Sequence, residues 1–453
     1  MAGGAGRRVL VIGAGMAGLT ALDRLSHAGF HVTVLEAQGR AGGRVRTVRG
    51  PFADQLYADF GASYVVDCHT RLLAYVDELD LPLQIVNPRH LASIYHLEGR
   101  NLPFTNQLPA DFPLRLTAAE RHMGFVGMLI TYLSPGLKAV AQPSLGARWP
   151  DAHARALDRI NGRQLLRDAG ASNPATKLLG DSLLGLYGDG LDSTSGLFLT
   201  TQQKLSEFKV TYTIRGGMDR LPAALSARYR DRIHYGCNVT AIHHSPRGVR
   251  VDVRRGRATG RMEADFLVAA IPYAALRHVR IRPRLPSRKR RVVAELRNTS
   301  VVRAFVQCRT RFWERVDPSG TVFTDIPGLS IFSGYARPSH RGVLEAYICG
   351  VPARRLSAMR NPAPAIVRTM AQVFPDLPEF AEHVVWHCWD NDQWARGAYA
   401  WYAPREMMAF LPHLTRPEGR IHFAGDHTSL IPGWIEGAIE SGERVASEIK
   451  SAR

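Results

Sequence analysis

The first thirty-six residues constrain the fold more than any other stretch. Arg8-Val9-Leu10-Val11-Ile12 is apolar after its arginine and partly β-branched, the pattern of a strand buried on both faces. The turn Gly13-Ala14-Gly15-Met16-Ala17-Gly18 follows, and Leu19, Leu22 and Leu25 then recur at helical spacing up to a stop at Gly29. His31–Leu35 reads as a second strand and runs into Glu36. Strand, glycine turn, helix, strand and acid in this order predict a dinucleotide site. Gly13, Gly15 and Gly18 serve the sharp turn, the approach of a diphosphate and close helix–strand packing. Free N–H groups at the start of the helix attract phosphate. An acid about 20 residues on, here Glu36, accepts from ribose hydroxyls.

Composition narrows the class around this unit. The chain has 453 residues, 45% of them hydrophobic and 22% charged, enough for a large core in two or three lobes. Disorder and small disulfide scaffolds are excluded on that basis. Five cysteines without a CxxC pair speak against a zinc ribbon, and no metal site is predicted. The net charge is +18, but it is carried almost wholly by arginines that read as spread along the chain, densest at Arg288-Lys289-Arg290-Arg291. That pattern resembles a coding bias more than a binding arm, so no nucleic-acid partner is expected. The glycines break the apolar run after Arg7-Arg8, which argues against a signal peptide. No stretch reads as reaching the roughly 18 apolar residues of a membrane helix. The chain stops at Arg453 without a hydrophobic tail, so no membrane partner and a cytoplasmic location are expected. No Ser-His-Asp order, HExxH or P-loop supports a hydrolase.

Further strands punctuate the chain. Val249–Val253 alternates apolar and charged residues, Asp265–Pro272 is a buried strand ending at proline, and Arg420–Asp426 runs from a strand into a turn. Two long insertions lie between them. One is rich in Leu, Ala and Arg at helical spacing, and the other mixes helices with strands at Val301–Gln307 and Val343–Ile348. The expected fold is α/β: a discontinuous Rossmann-like lobe with an inserted α+β substrate-binding lobe. The nucleotide lobe is drawn at 1–75, 205–285 and 395–453, and the inserted lobe at 76–204 and 286–394.

After the second strand comes Glu36-Ala37-Gln38-Gly39-Arg40-Ala41-Gly42-Gly43-Arg44, two glycines between two arginines, which suits a second phosphate cradle. This run, GAGMAGL before it, Asp59-Phe60-Gly61-Ala62-Ser63-Tyr64-Val65, Arg215-Gly216-Gly217-Met218 and the ending FAGDHTSLIPGWIEGAIESGERVA together resemble the flavin-containing amine oxidase family, in that family's order. The resemblance implies FAD. Gly13, Gly15 and Gly18 would meet its diphosphate, Glu36 the adenosine ribose, Arg44 the region of the phosphates, the Val239 backbone the adenine and Asp426 the ribityl chain. Ala17, Ala37, Arg40, Gly42, Gly43, Gly61, Ala62, Ser63, Gly425, Trp434, Ile435 and Ala438 complete the expected contacts. The helix starting near Gly433 would aim its positive end at the flavin. Ala398 stands where some relatives carry a cysteine bonded to the cofactor, which implies non-covalent binding.

The resemblance also implies a catalytic site. Tyr399 and Trp434 match two aromatic side chains that clamp an amine. Trp389 matches a residue packed beside the flavin ring, and Tyr64 a pocket residue. Counting back from Phe312-Trp313, Arg303 occupies the place of a lysine that holds a water near flavin N5. The expected reaction moves hydride from the carbon next to nitrogen to flavin N5, giving an imine, with O2 as reoxidant. The partners expected are a small-molecule amine and O2, with a homodimer left open. Gly61–Val65 lacks the arginine that amino-acid oxidases use for a carboxylate, which favours an amine without one. Three alternatives stay open: an L-amino-acid oxidase using Arg303, a secondary-metabolism oxidase acting on an amine or N-acyl amine with cyclisation of the iminium, and a chromatin-type demethylase or FAD-dependent scaffold.

Overall fold

The computed structural model describes residues 6–86, 94–103, 107–140, 143–145, 149, 151–205, 210–316, 319–334 and 339–452. Arg8–Ile12 lies at the centre of a parallel sheet, between His31–Leu35 and Phe266–Ala269. Ile233–His234 and Ile421–Phe423 form its two edges. The strands come from widely separated parts of the chain. Helix Met16–His27 buries Leu19, Leu22 and Leu25 completely against this sheet, each worth about 1.5–3 kcal/mol in removed apolar surface. A Cβ on Gly18 would lie 2.0 Å from the Gly13 carbonyl oxygen, so only glycine lets the helix come this close to the turn. The C-terminal helix Ile435–Ser451 joins the same core through Ile439, Val445 and Ile449.

The alternation at Val249–Val253 belongs to a four-stranded sheet, ordered Ala258–Ala264, Gly248–Arg255, Asn238–Ser245 and Arg280–Arg282. Its valines are buried, and Arg250, Asp252 and Arg254 take the other face. A seven-stranded sheet is ordered Ala381–Cys388, Val301–Cys308, Gly342–Cys349, Leu329–Ser333, Val322–Thr324, Ile94–Leu97 and Arg100–Pro103. The two strands read from the second insertion pair antiparallel within it, with Arg303 opposite Tyr347.

The first insertion is not purely helical. Besides Ala118–Val140 and Gly196–Leu205 it contains Leu83–Val86, paired with Thr211–Ile214, and Ile94–Leu97, paired with Val322–Thr324. The expectation that no stretch is apolar enough for a bilayer is corrected by Ala118–Val140, which meets that length and composition. The sequence interrupts this helix. Gly124 is non-helical at φ 62°, and Pro135 lies inside it. Buried Glu120 receives hydrogen bonds from Tyr132 and Ser172, and Gly136 rests against Thr200 and Leu165.

Candidate active site

Open parallel sheets bind ligands at the carboxyl ends of their strands. Here Gly13, Glu36, Ala270 and Gly425 follow their strands into a cavity of about 980 Å³, whose far wall includes Phe323, Glu345 and Tyr347 of the seven-stranded sheet. At the nucleotide end, Glu36 ties two turns together. Its carboxylate accepts from the Ala14 N–H at 2.7 Å and the Gln38 N–H at 2.7 Å, and burial pushes its pKa up. The Gly42 N–H donates to the Ala14 carbonyl at 2.8 Å, docking the second glycine loop on the first. Helix Met16–His27 begins beside the cavity with no side chain capping its N–H groups, which leaves them for an anion.

Nearly all the cofactor residues expected from the sequence line this one cavity: Gly13, Gly15, Ala17, Glu36, Ala37, Gly42, Gly43, Arg44, Gly61, Ala62, Ser63, Val239, Gly425, Asp426, Trp434, Ile435 and Ala438. Two do not. Gly18 sits beneath the turn. Arg40 turns its guanidinium onto the carbonyls of Ala41, Gly43 and Val45 at 3.1, 2.8 and 3.2 Å, so it holds the shape of the loop.

Arg44 joins distant parts of the chain, donating to the Ala398 carbonyl and to Asp426. The other Asp426 oxygen accepts from the Gly433 N–H at 2.8 Å. Burial raises the Asp426 pKa, but Arg44 and His427 outweigh it and hold the carboxyl below its usual range. His427 is buried against Tyr273, with ring centroids 4.5 Å apart, and burial lowers its pKa to about 3. Neither ring nitrogen has a hydrogen-bond partner, although His427 lines the cavity. Uncapped helix N–H groups, two glycine loops and orphaned buried nitrogens fit a long, polar, phosphate-bearing group such as FAD.

All five expected catalytic residues, Tyr399, Trp434, Arg303, Trp389 and Tyr64, line the same cavity. Tyr399 donates to the Leu186 carbonyl at 2.6 Å, which leaves Tyr347, 2.8 Å away, to donate to Tyr399. Tyr187 packs edge-on to the Tyr399 ring at 5.6 Å. The Trp434 ring meets buried His69 edge-on at 4.7 Å. Trp389 donates its indole N–H to the Phe60 carbonyl at 2.9 Å. Arg303 is held at two of its three nitrogens: Nε donates to Glu345 at 2.5 Å, and Nη1 to the Gly61 carbonyl and to Ser63 Oγ. Burial disfavours the guanidinium charge, but Glu345 overrides this and raises the Arg303 pKa.

Glu345, Tyr347, Tyr187, Phe332 and His427 line the cavity without having been singled out from the sequence. A signal existed for two of them. Glu345 and Tyr347 alternate with Leu344 and Ala346, which puts an acid and a phenol on one face of an apolar strand.

The chain matches the profile described as flavin containing amine oxidoreductase over residues 16–450. It is 28% identical over 469 residues to the Bacillus subtilis protein YobN, provisionally named an L-amino-acid oxidase, covering 98% of this chain and 94% of that one. It is 27% identical over 472 residues to the L-amino-acid oxidase BmooLAAO-I of Bothrops moojeni, covering 98% and 90%. Among solved structures it resembles putrescine oxidase bound to putrescine, at a TM-score of 0.84 and 22% identity over 98% of this chain and 99% of that one. Cyclohexylamine oxidase from Brevibacterium oxydans gives a TM-score of 0.82 and 22% identity, over 98% of both chains. Site and sequence match lead to one conclusion: the chain belongs to the flavin-containing amine oxidoreductase family.

Proposed function

We propose that this FAD-dependent oxidoreductase acts on an amine that carries no carboxylate beside the reacting carbon. The observation behind this reading is the state of Arg303. Of the described cavity-lining residues on the seven-stranded sheet it is the only cation, and its charge is already balanced by Glu345 at Nε, with Gly61 and Ser63 holding Nη1. An α-carboxylate entering there would meet a guanidinium whose charge is already balanced and would be repelled by the buried Glu345 carboxylate beside it.

Tyr399 and Trp434 orient the amine by their ring faces, and their electron-rich surfaces attract it while it is still cationic. The Tyr347–Tyr399–Leu186 hydrogen bonds fix the Tyr399 ring before substrate arrives, so its ordering cost is not met at each turnover. Trp389, pinned to Phe60, forms a rigid wall, and Tyr64 stands near Arg303 and Glu345. When bound, the flavin supplies the hydride acceptor, with O2 proposed as the final oxidant. Non-covalent binding follows from Ala398, which offers no thiol and gives its carbonyl to Arg44. In this reading the segments 1–75, 205–285 and 395–453 hold the cofactor, and 76–204 with 286–394 shape the substrate end.

Stopped-flow bleaching of the flavin under anaerobic conditions tests the reading with matched pairs, for example phenethylamine against phenylalanine. The amine of each pair is expected to reduce the flavin faster. Consistently faster reduction by the amino acids would overturn the proposal and assign the activity borne by the names of the sequence relatives.

A further inference from the structure

The loop that gives Gly42, Gly43 and Arg44 to the cofactor cavity gives Arg40, Ala41 and Arg46 to a second hollow of about 290 Å³. Arg230 and Tyr235 line the same hollow from the chain leading into and out of the edge strand Ile233–His234. Three arginines therefore border a small space. Asp219 is the one acid among its described lining residues, and both of its oxygens already accept from Arg49, at 2.9 and 2.7 Å.

No described carboxylate forms an ion pair with Arg40, Arg46 or Arg230, although Glu36, Asp392 and Asp219 lie near enough to Arg40 to favour its charge. The side-chain contacts of Arg46 are the Phe60 ring, 5.7 Å from its guanidinium carbon, and His387 Nδ1 at 3.5 Å. Arg40 donates to loop carbonyls, and the charge of Arg46 opposes its own. Arginines gathered without a directly paired carboxylate repel one another, and an entering anion relieves that repulsion. Their planar donor forks match the oxygens of phosphate. The hollow falls just under the roughly 300–1,000 Å³ of sites for drug-sized ligands, so it suits a small anion.

Arg40 connects this hollow to the cofactor. The carbonyls it holds, of Ala41, Gly43 and Val45, bracket the glycines that dock on the Gly13–Gly18 turn. We propose that the hollow binds a phosphate-type oxyanion, and that its occupancy holds the Gly42–Arg44 loop in the shape that grips FAD. The inference rests on the cofactor site alone and stands whichever amine is the substrate.

Calorimetric titration of the FAD-loaded protein with inorganic phosphate reads the site directly, because bound FAD keeps phosphate out of its own diphosphate position. Potassium chloride at equal ionic strength is the control. Phosphate is expected to give a saturable heat and chloride none. By linkage, phosphate should also tighten FAD binding by about fivefold, read from flavin fluorescence during reconstitution. Arg230→Ser touches neither the loop nor the cofactor cavity; it should bind FAD like wild type in chloride and lose both phosphate effects. The proposal is overturned by an absence of heat, by chloride acting as phosphate does, by an unchanged FAD affinity in phosphate, or by an Arg230→Ser protein that responds as wild type does.

Discussion

The side chains of Arg303 and Glu345 are each only 7% exposed, and their pairing decides what Glu345 substitutions should do. Glu345→Gln leaves a charged guanidinium in the interior without its counterion, so chemical denaturation should show a loss of about 3–5 kcal/mol. Removing Asp192 from the exposed Arg163 pair should cost under about 1 kcal/mol. A Glu345→Gln loss as small as that one would mean the buried pair is not the constraint described above. Tyr399 sets a second expectation. Tyr347→Phe removes one hydrogen bond from its hydroxyl and should lower the anaerobic flavin reduction rate a few-fold with little change in stability. Trp434→Ala should lower it further, by about tenfold or more. Equal rates in all three proteins would remove the aromatic clamp from the mechanism.

At the scale of elements, the short strand Ala58–Asp59 carries a buried acid between two neighbours. Asp59 accepts from Thr47 Oγ1 at 2.5 Å and from the Met218 N–H at 3.2 Å, while its other oxygen has no partner. Burial raises its pKa from 3.8 to about 6. The folded protein thus holds this proton more tightly than the unfolded chain does. The stability it contributes is complete below about 3.8 and is lost as pH rises through about 6. Asp59→Asn, which keeps an acceptor for Thr47, should flatten the melting temperature across that window and raise it above about pH 6, by a free energy on the order of 2 kcal/mol. A melting temperature that rises with pH in the wild type over this range would contradict the assignment. Legibility in the sequence follows the same scale. The βαβ unit is readable because its strands, turn and helix are local and its glycines are required by contact, as at Gly18. Glu36 and Asp426 are readable from the motifs that contain them. Leu83–Val86 is a four-residue strand whose partner lies more than 120 residues away, and Ile94–Leu97 reaches the seven-stranded sheet through Val322–Thr324, more than 200 residues on, so no local period places either one. Glu345 lies in a strand without a motif, and its meaning appears only once Arg303 is beside it.

For the whole molecule, the arginines are not evenly spread along the chain, contrary to the expectation from their overall distribution. Residues 247–297 hold fifteen Arg or Lys against four Asp or Glu, a net of +11 out of +18. Strand pairing sets Arg282 and Arg250 beside His243, and Arg261 beside Asp252, across the outer side of the four-stranded sheet. Replacing Arg250, Arg261 and Arg282 by Glu should therefore lower the salt needed to elute the protein from a cation exchanger more than three reversals elsewhere. The cavity makes a second large-scale prediction. Its walls come from the parallel sheet, the seven-stranded sheet and the C-terminal helix, so FAD binds the folded chain and should stabilise it by about 2.7 kcal/mol at a hundredfold excess over its Kd. Protein stripped of flavin should melt at a lower temperature and recover on adding FAD back. The bridge from Arg44 to Asp426 spans 382 positions of the chain. During synthesis, Arg44 leaves the ribosome long before the partner that closes its grip exists. A nascent polypeptide arrested ahead of Asp426 should therefore emerge colourless however much riboflavin the cell makes, and pigment should enter only late in translation.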